Sequence, residues 1–352
     1  MKEYFSYNLP KHLNLCDRSN PKGAEPQPYW QVVGDGLEAH YVSLRFSDNG
    51  TPYAAYVDKT DGQPLVVKYN GVGWEKVSES GFPANGRYSN FVALAIDNEA
   101  APHLACTQII PGNKKNVIVK RFNGDNWEEV GNTSFINGYV IGDSLRFDGN
   151  GDLYMASLHN DRYLSVLKLN SRDNWEEVCN LNIYGQLELF FFLLDKSGLP
   201  VVLYSGYNRS EFIVFRYTGE NWVRVGIAEP LGGSASLTLD NNGIPYAAYR
   251  ENDGGQLKVV RFNGSTWDEA TKVEIDARQV LLKFDNNGRL HLAYSDRDYQ
   301  ISVARFNGVN WETMGDFGFF SGVLGGLTFD RQGVPYLVCV NGSKRFIMKF
   351  AR

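Results

Sequence analysis

Short runs in which apolar and polar residues alternate fill most of the chain and predict β-strands. In the clearest copy, residues 236–239 alternate as one strand, 245–249 form a second after a polar turn, and 257–262 form a third. The dipeptide Asn263-Gly264 then supplies the left-handed dihedrals of a tight hairpin, and Trp267 opens a fourth strand. This unit predicts one four-stranded antiparallel sheet.

The same unit recurs along the chain, and a tryptophan marks the start of the last strand in each copy. These residues are Trp30, Trp74, Trp127, Trp175, Trp222, Trp267 and Trp311. A regular period of this length, filled with short strands, is typical of a β-propeller. We therefore predict an all-β, seven-bladed β-propeller of four-stranded antiparallel blades, with strands A to D running outward from the axis.

A polar four-residue turn joins strands A and B of each copy. The turns lie at residues 47–50, 97–100, 148–151, 195–198, 240–243, 285–288 and 330–333. Asp at the head of such a turn accepts backbone N–H bonds two residues on, and Gly takes the positive φ. The turns lack the alternating oxygen ligands and terminal bidentate acid of an EF-hand, so we interpret them as structural turns and not as calcium sites.

The two ends of the chain predict how the ring closes. The last copy has strands at 326–329, 335–340 and 345–350 but no fourth, while residues 30–34 form a D strand that no A, B or C strand precedes. Pairing them removes two exposed sheet edges. We therefore expect the N-terminal strand to complete the last blade (three plus one). The predicted propeller spans residues 29–352, and residues 1–28 form an N-terminal extension outside the repeat.

Composition limits the function classes. The formal net charge of −5 argues against a general nucleic-acid binder, and no apolar run reaches the roughly 18–20 residues of a membrane helix. Residues 1–10 lack the apolar segment of a secretory signal, so we expect a cytoplasmic protein, or a secreted one whose signal has been removed. The four cysteines have unrelated spacings and predict neither a disulfide framework nor a metal site. We expect a monomer without a cofactor.

The Phe-Asn-Gly-x-x-Trp hairpin, as at residues 122–127 and 306–311, resembles that of bacterial repeat β-propellers. It is also similar to a degenerate form of the sialidase Asp-box, as at residues 263–267, although most copies lack its leading Ser and its defining Asp. The Gly-His and Trp-Asp dipeptides of WD40 repeats and the regular Gly-Gly pairs of kelch repeats are absent. The resemblance covers residues 29–352 and implies the fold, while function depends on the site.

The two faces of the predicted ring differ in regularity. The A–B and C–D turns share one face, which we call the turn face, and the B–C and D–A connections share the other, the loop face. The turns repeat closely, whereas the B–C loops differ from copy to copy. A lectin with one pocket per blade would repeat its contact residues. The divergence therefore predicts one asymmetric site on the loop face, near the mouth of the central channel, the alternative being unconstrained loop drift.

Candidate ligand-binding residues on the loop face are aromatic, for stacking, or polar, for directional hydrogen bonds. They are His40, Asp143, His159, Asp161, Arg162, Tyr163, Glu188, Tyr207, Arg209, Arg250, Glu251, Asp296, Arg297 and Tyr299. Three cations, Arg45, Arg146 and Lys283, occupy one equivalent position two residues before the A–B turn. They could hold a carboxylate or a sulfate, in a way similar to the arginine cluster of sialidases. Alternatively, they pair with neighbouring acids or line a water-filled channel.

We therefore predict a non-catalytic recognition module that binds a glycan or a protein ligand through one site on the loop face. The alternative is a glycan-cleaving enzyme, a sialidase-like hydrolase or a lyase, that uses acids such as Asp143, Glu188, Glu251 and Asp296. A third possibility is a protein scaffold. Five histidines and the lack of nucleophile motifs disfavour the enzyme. His103 and His291 stand where other copies have Tyr, and we predict that they pack within strands.

Overall fold

The computed structural model describes residues 28–78, 81–82, 86–132, 138–159, 163–183, 187–206, 212–226, 231–251 and 256–351. Regular structure in these residues is entirely β-strand, as the alternating pattern predicts. The same residues contain no helix of the length and apolarity needed to span a membrane.

The strands follow one another in chain order with short connections. The first fifteen are β1 (Tyr29–Val32), β2 (Leu37–Phe46), β3 (Pro52–Asp58), β4 (Pro64–Tyr69), β5 (Trp74–Lys76), β6 (Arg87–Ile96), β7 (Pro102–Ile110), β8 (Lys114–Phe122), β9 (Trp127–Glu129), β10 (Tyr139–Phe147), β11 (Leu153–His159), β12 (Tyr163–Leu169), β13 (Trp175–Asn182), β14 (Leu187–Leu194) and β15 (Pro200–Gly206). The others are β16 (Phe212–Tyr217), β17 (Trp222–Arg224), β18 (Leu231–Leu239), β19 (Pro245–Glu251), β20 (Leu257–Phe262), β21 (Trp267–Thr271), β22 (Gln279–Phe284), β23 (Leu290–Ser295), β24 (Gln300–Phe306), β25 (Trp311–Thr313), β26 (Phe320–Ser321), β27 (Val323–Phe329), β28 (Pro335–Asn341) and β29 (Lys344–Ala351).

The strands form repeated four-stranded antiparallel blades. Strands β2–β5, β6–β9, β10–β13, β14–β17, β18–β21 and β22–β25 pair in chain order, and β26 adds to β24. Strands β27–β29 form another meander. The first strand of each meander contacts the first strand of the next, and β27 contacts β2, so the first strands form a ring around a central channel. The loops and turns therefore lie at the two mouths of that channel.

The N-terminal strand completes the sheet of the C-terminal strands. Strand β1 pairs antiparallel with β29, from Tyr29 opposite Ala351 to Val32 opposite Met348. The indole of Trp30 is buried, stacks on Phe319 at 4.8 Å between ring centroids, and donates to the carbonyl oxygen of Met314 at 2.8 Å. The predicted pairing of the two chain ends is thus present, with the strand at Tyr29–Val32.

The predicted A–B turns are confirmed in their hydrogen bonding. In the turn at 240–243, Asp240 Oδ1 accepts from the backbone N–H of Asn242 at 2.7 Å and of Ile244 at 2.9 Å, and Gly243 has φ of 73°. In the turn at 97–100, Ala100 takes the same left-handed conformation with φ of 64°. The turn carboxylates are therefore committed to the backbone of their own turns.

The tryptophans join neighbouring blades. All seven lie in the outermost strand of a blade, as predicted. The indole N–H of Trp74 donates to Val33 O at 2.8 Å, and that of Trp175 donates to Val130 O at 2.9 Å. A glycine follows each acceptor, and a Cβ at Gly34 would lie 2.6 Å from Trp74 Cδ1. Each such indole thus needs a side-chain-free residue in the preceding blade.

The hydrophobic core lies between consecutive blades. One cluster combines Ala93 and Ala105 of the β6–β9 blade with Leu145 and Met155 of the β10–β13 blade, all fully buried. His103 and His291 belong to this inter-blade packing, as predicted. Their rings lie 5.1 Å from Phe147 and 4.7 Å from Phe329.

Serine side chains also join the inner strands of neighbouring blades, which are not paired by backbone hydrogen bonds. Ser43 Oγ accepts from Leu94 N at 3.2 Å, and Ser236 Oγ accepts from Leu282 N at 2.9 Å. These bonds satisfy backbone donors that face the channel side of each blade.

Candidate functional site

β-Bulges reshape the loop-face ends of the inner strands. Register shifts separate Ala39 from Val42, Tyr88 from Val92, Val140 from Leu145, Leu187 from Leu189, Leu231 from Ala235 and Leu324 from Gly326. The pairing of β22 with β23 contains no such shift. A bulge leaves extra residues unpaired and re-aims their side chains. The bulges therefore re-aim different side chains at the loop-face end of each blade that contains one.

Asp143 stands in the β10 bulge with a left-handed backbone, φ 60°. Such a conformation is strained for a residue other than glycine and occurs where the surroundings enforce it. Its Oδ1 accepts from Ser43 Oγ at 2.8 Å and lies 3.2 Å from Arg45 Nη2. The side chain reaches from the β10–β13 blade to the β2–β5 blade, yet 41 % of its surface is exposed, as expected for a group that lines a channel.

Tyr41 covers the same carboxylate. Its hydroxyl bonds to Asp143, and its ring lies on Gly142, where a Cβ would come 2.6 Å from Tyr41 Cζ. Burial, followed by the charge of Asp143, raises the pKa of Tyr41 well above its ordinary value. The phenol is therefore neutral, and its O–H donates a hydrogen bond to the Asp143 carboxylate.

The predicted cations lie at one level of the channel. By strand register, Arg45 is opposite Tyr53, Arg146 is opposite Tyr154, and Lys283 is opposite His291. The structure brings the charges of all three within range of Asp143. The equivalence that the sequence predicts is therefore present, and it places three positive charges around one carboxylate.

The electrostatics of this group depend on burial and on mutual repulsion. Burial alone would raise the pKa of Asp143, but Arg45, Arg146 and Lys283 together with the Ser43 hydrogen bond hold it well below its usual range. Burial, then Arg146 and Arg45, lowers the pKa of Lys283 to about 7. Burial and Arg45 lower the pKa of Arg146 to about 10. Repulsion and desolvation thus outweigh the attraction of the single carboxylate for both of these cations.

The arginines make few hydrogen bonds. Arg146 Nε donates to Phe192 O at 2.7 Å, and Arg45 Nη1 donates to Leu44 O at 2.9 Å. Arg45 Nη2 is enclosed and has no hydrogen-bond partner, because its 3.2 Å approach to Asp143 is an ion pair without hydrogen-bond geometry. The group therefore retains unused donor capacity.

Other predicted site residues are distributed over the loop face. His40 is exposed, and its carbonyl oxygen accepts from Arg345 Nη2 at 2.7 Å. Burial, then Lys59 and Arg345, lowers the pKa of His40. Sequence reasoning placed His159 and Tyr163 in a loop, but they pair with each other across β11 and β12, and Tyr163 is 48 % exposed.

The remaining described candidates are engaged within their own blades. Arg250 and Glu251 were predicted in a loop but belong to β19, where Glu251 forms an ion pair with Lys258. Asp296 Oδ1 accepts from the N–H of Asp298 and of Gln300, at 2.9 and 2.8 Å, and so stabilises its own turn.

Arg297 and Tyr299 meet the D–A connection of the same blade. Arg297 pairs with Asp276 at 2.7 Å, and the guanidinium of Arg278 lies 4.6 Å from the centroid of the Tyr299 ring. Asp161, Arg162, Tyr207 and Arg209 lie outside the described residues, as does the side chain of Glu188, whose backbone belongs to β14. Of the predicted loop-face set, Asp143 is thus the described member that contacts the channel cations.

Sequence reasoning missed two aromatic residues at the mouth. Phe91 stands in the β6 bulge, is 47 % exposed, and lies 5.5 Å from the ring of Tyr41. Both precede the regular part of an inner strand, where alternation no longer predicts orientation. The signal was present as a bulky apolar residue that directly follows the polar pair Ser89-Asn90.

A cavity of about 500 Å³ opens at the turn-face end of the channel. Its lining comprises Arg45, Phe46, Asn286, Thr328, Phe329 and Arg331. Thr328 is opposite Tyr336 in the register of β27 with β28, at the level of the three cations. Arg45 is therefore accessible from open volume on the side away from Asp143.

Comparison with solved structures identifies the architecture. The Dos1 propeller is similar over 92 % of this chain and 95 % of that chain, with a TM-score of 0.55 and 12 % identity. The chain has a β-propeller fold. A protein of unknown function from Dyadobacter fermentans is similar over 92 % of this chain and 97 % of that one, at a TM-score of 0.50 and 12 % identity.

A fungal lectin from Aleuria aurantia, described as a six-bladed β-propeller that recognises fucose, is similar over 81 % of this propeller and 97 % of its own chain. Its TM-score is 0.48 and its identity 10 %. No family model matches the chain, and neither does any curated protein sequence. At these identities the similarity establishes the fold alone, so function has to be argued from the site.

Proposed function

We propose that this propeller is a recognition module that binds a glycan through one asymmetric site at the loop-face mouth of its channel. The observation that carries the proposal is the exposed ring of Phe91, which rests on Tyr41 beside the strained Asp143. Sugar rings bind where an aromatic face meets their C–H groups and fixed polar groups meet their hydroxyls.

The architecture assumed in this proposal is a ring of seven blades, with β1 as the fourth strand of the last one. The pairing of β1 with β29 and the contact of β27 with β2 support that arrangement. We assign residues 29–352 to the propeller and residues 1–28 to an N-terminal extension.

The asymmetry of the mouth supports a single site. The bulges present Tyr41 in β2, Phe91 in β6 and Asp143 in β10, three chemically different groups on three consecutive blades. The neighbouring polar groups, exposed His40 and Asn90, are suited to hydrogen bonds with hydroxyls. A site assembled from unlike blades binds one ligand in one orientation.

Recognition is favoured over glycan cleavage by the state of the acids. Glu251 is paired with Lys258, and Asp296 is committed to its turn. The cations that hold the pKa of Asp143 low keep it ionised, whereas a general acid needs a raised pKa. These described acids are thus better suited to holding structure and orienting a ligand than to proton transfer.

Binding of the full chain to an array of neutral and acidic glycans tests the proposal. We expect binding that Phe91→Ala weakens about tenfold, since losing an aromatic contact of this kind costs about 1–1.5 kcal/mol. Val309→Ala, at a 79 % exposed position on the turn face, is the matched control and should bind normally. An array without a hit, or hits that Phe91→Ala leaves intact, would overturn the proposal. Capture of a protein by the same face would replace the glycan with a protein ligand.

A further inference from the structure

We infer that the channel contains a second binding site, for an oxyanion, at the level of Arg45, Arg146 and Lys283. The chemistry is that of a carboxylate, sulfate or phosphate group, either free or carried by a larger molecule. The inference does not depend on glycan binding at the mouth, because it rests on a different set of residues.

The first argument is the imbalance of charge. Arg45, Arg146 and Lys283 lie around the channel, and Asp143 is the one carboxylate among the described residues that pairs with Arg45 or acts on Arg146 and Lys283. With Lys283 protonated, the described residues at this level therefore supply one negative charge for three positive charges. An anion at this level would offset a repulsion that the fold otherwise sustains.

The second argument is unused hydrogen-bonding capacity. Arg45 Nη2 is enclosed without a hydrogen-bond partner. The ammonium of Lys283 makes no hydrogen bond or ion pair within the described part of the chain. Guanidinium and ammonium groups with unused donors are suited to an oxyanion with several acceptor oxygens.

The third argument is space and access. The cavity of about 500 Å³ borders Arg45 and Thr328, and a water takes up about 30 Å³, so a sulfate-sized group fits together with bridging waters. Phe46 and Phe329 supply the apolar part of the lining. At its outer end, Arg331 pairs with Asp48. Arg45, the other cation of the lining, shares the single carboxylate of Asp143 with Arg146 and Lys283.

A second cavity provides an internal comparison. It measures about 520 Å³, and its lining includes Arg289 and Arg305. Arg289 pairs with Asp285 at 2.7 Å, and Arg305 pairs with Glu312 at 3.2 Å. Each of those arginines has a carboxylate of its own, whereas Arg45, Arg146 and Lys283 share the one carboxylate of Asp143.

Proton uptake is the distinctive sign of this site. Since the pKa of Lys283 is lowered to about 7, the free protein at pH 7 carries this ammonium about half protonated. A bound anion raises that pKa, so binding at pH 7 should take up about 0.5 proton. The same linkage predicts that affinity weakens with rising pH, by up to about 100-fold between pH 6 and pH 9.

Isothermal titration of the full chain with sodium sulfate and with sodium glucuronate, in buffers of different ionisation enthalpy, measures binding and proton uptake together. Neither ligand titrates near pH 7. We expect saturable binding with proton uptake, and loss of that uptake with at least tenfold weaker binding in Lys283→Met. Equivalent positions hold Leu193, Thr238 and Thr328, so an uncharged residue is compatible with the blade. Lys68→Met, at a surface lysine paired with Glu75, is the matched control.

The two ligands distinguish the sources of the oxyanion. Binding of sulfate shows that a free anion suffices, and binding of glucuronate alone shows that the group belongs to an acidic sugar. No saturable binding of either ligand overturns the inference. So does binding that Lys283→Met leaves unchanged. Should that variant not fold, affinity of the wild-type chain that is constant from pH 6 to pH 9 is the result that refutes it.

Discussion

Replacing His291 with tyrosine should remove part of the acid sensitivity of the fold. His291 is 1 % exposed, and burial lowers its pKa from 6.5 to about 4, in spite of the hydrogen bond that Nδ1 donates to the carbonyl oxygen of Arg289 and in spite of the charge of Asp285. The unfolded chain binds a proton at this histidine below pH 6.5, whereas the folded chain does so only near pH 4. Stability from this group is therefore complete above pH 6.5 and is lost as the pH falls toward 4.

The structure sets the size of the effect. A shift of this magnitude corresponds to about 3 kcal/mol in full, of which about 2 kcal/mol is lost between pH 7.5 and pH 5. For a chain of this length, 2 kcal/mol corresponds to about 3 °C in melting temperature. Tyrosine fits the position, because Tyr246 packs on Phe284 at 5.0 Å and Tyr336 on Phe46 at 4.7 Å, as His291 packs on Phe329.

Differential scanning calorimetry of both proteins at pH 7.5 and pH 5 gives the measurement. We expect the wild-type melting temperature to fall about 3 °C further than that of His291→Tyr. His40→Gln, at an exposed histidine, serves as the control and should keep nearly the whole wild-type pH dependence. Equal falls in the wild type and in His291→Tyr would refute the idea that burial keeps this ring neutral.

Three further perturbations test other contacts. Gly34→Ala should cost about 3 kcal/mol in urea unfolding, because φ is +65° and the new Cβ meets the Trp74 ring; Gly50→Ala, with φ of +85° and open space, should cost only about 1 kcal/mol. Deleting residues 1–34 removes β1 and should cause aggregation or loss of the cooperative melt, and an unchanged melt would contradict the closure by β1. Lys283→Met should stabilise the protein at pH 7. Because the pKa of Lys283 is lower in the folded chain than in the unfolded chain, the wild type should gain stability from pH 7 to pH 10, and the variant should not. Parallel plots of stability against pH for the two proteins would show that the fold does not lower the pKa of Lys283.

The parts of the fold that depend on local chemistry could be predicted from the sequence. The turn aspartates bond within four residues, so their pattern is visible in one copy and repeats in the others. The three channel cations could be aligned because a fixed two-residue distance to the A–B turn sets their register. The tryptophans indicated the period because each of them stands at the same place in its blade, the start or near the start of the outermost strand.

Contacts that join different blades could not be predicted in this way. A bulge shifts the register of everything that precedes it, so alternation does not indicate that Asp143 reaches Ser43 or that Phe91 lies on Tyr41. The glycine beneath the Trp74 indole could not be predicted either, since Gly34 and Trp74 belong to different blades. For the same reason the sequence predicted a site made of loop residues, whereas Tyr41, Phe91 and Asp143 lie in the strands β2, β6 and β10.

The hydrogen bond from Trp30 to the carbonyl oxygen of Met314 joins residues 284 positions apart, and it has a consequence for synthesis. A ribosome adds about 5–20 residues per second, so β1 waits roughly 15–60 s for its partner strand to emerge. During that time β1 has no partner strand, and the indole of Trp30, which is buried in the folded protein, is exposed to water. Any premature stop leaves that strand permanently without its partner. Pairing of the two chain ends therefore depends on one late event, the arrival of β29 at β1.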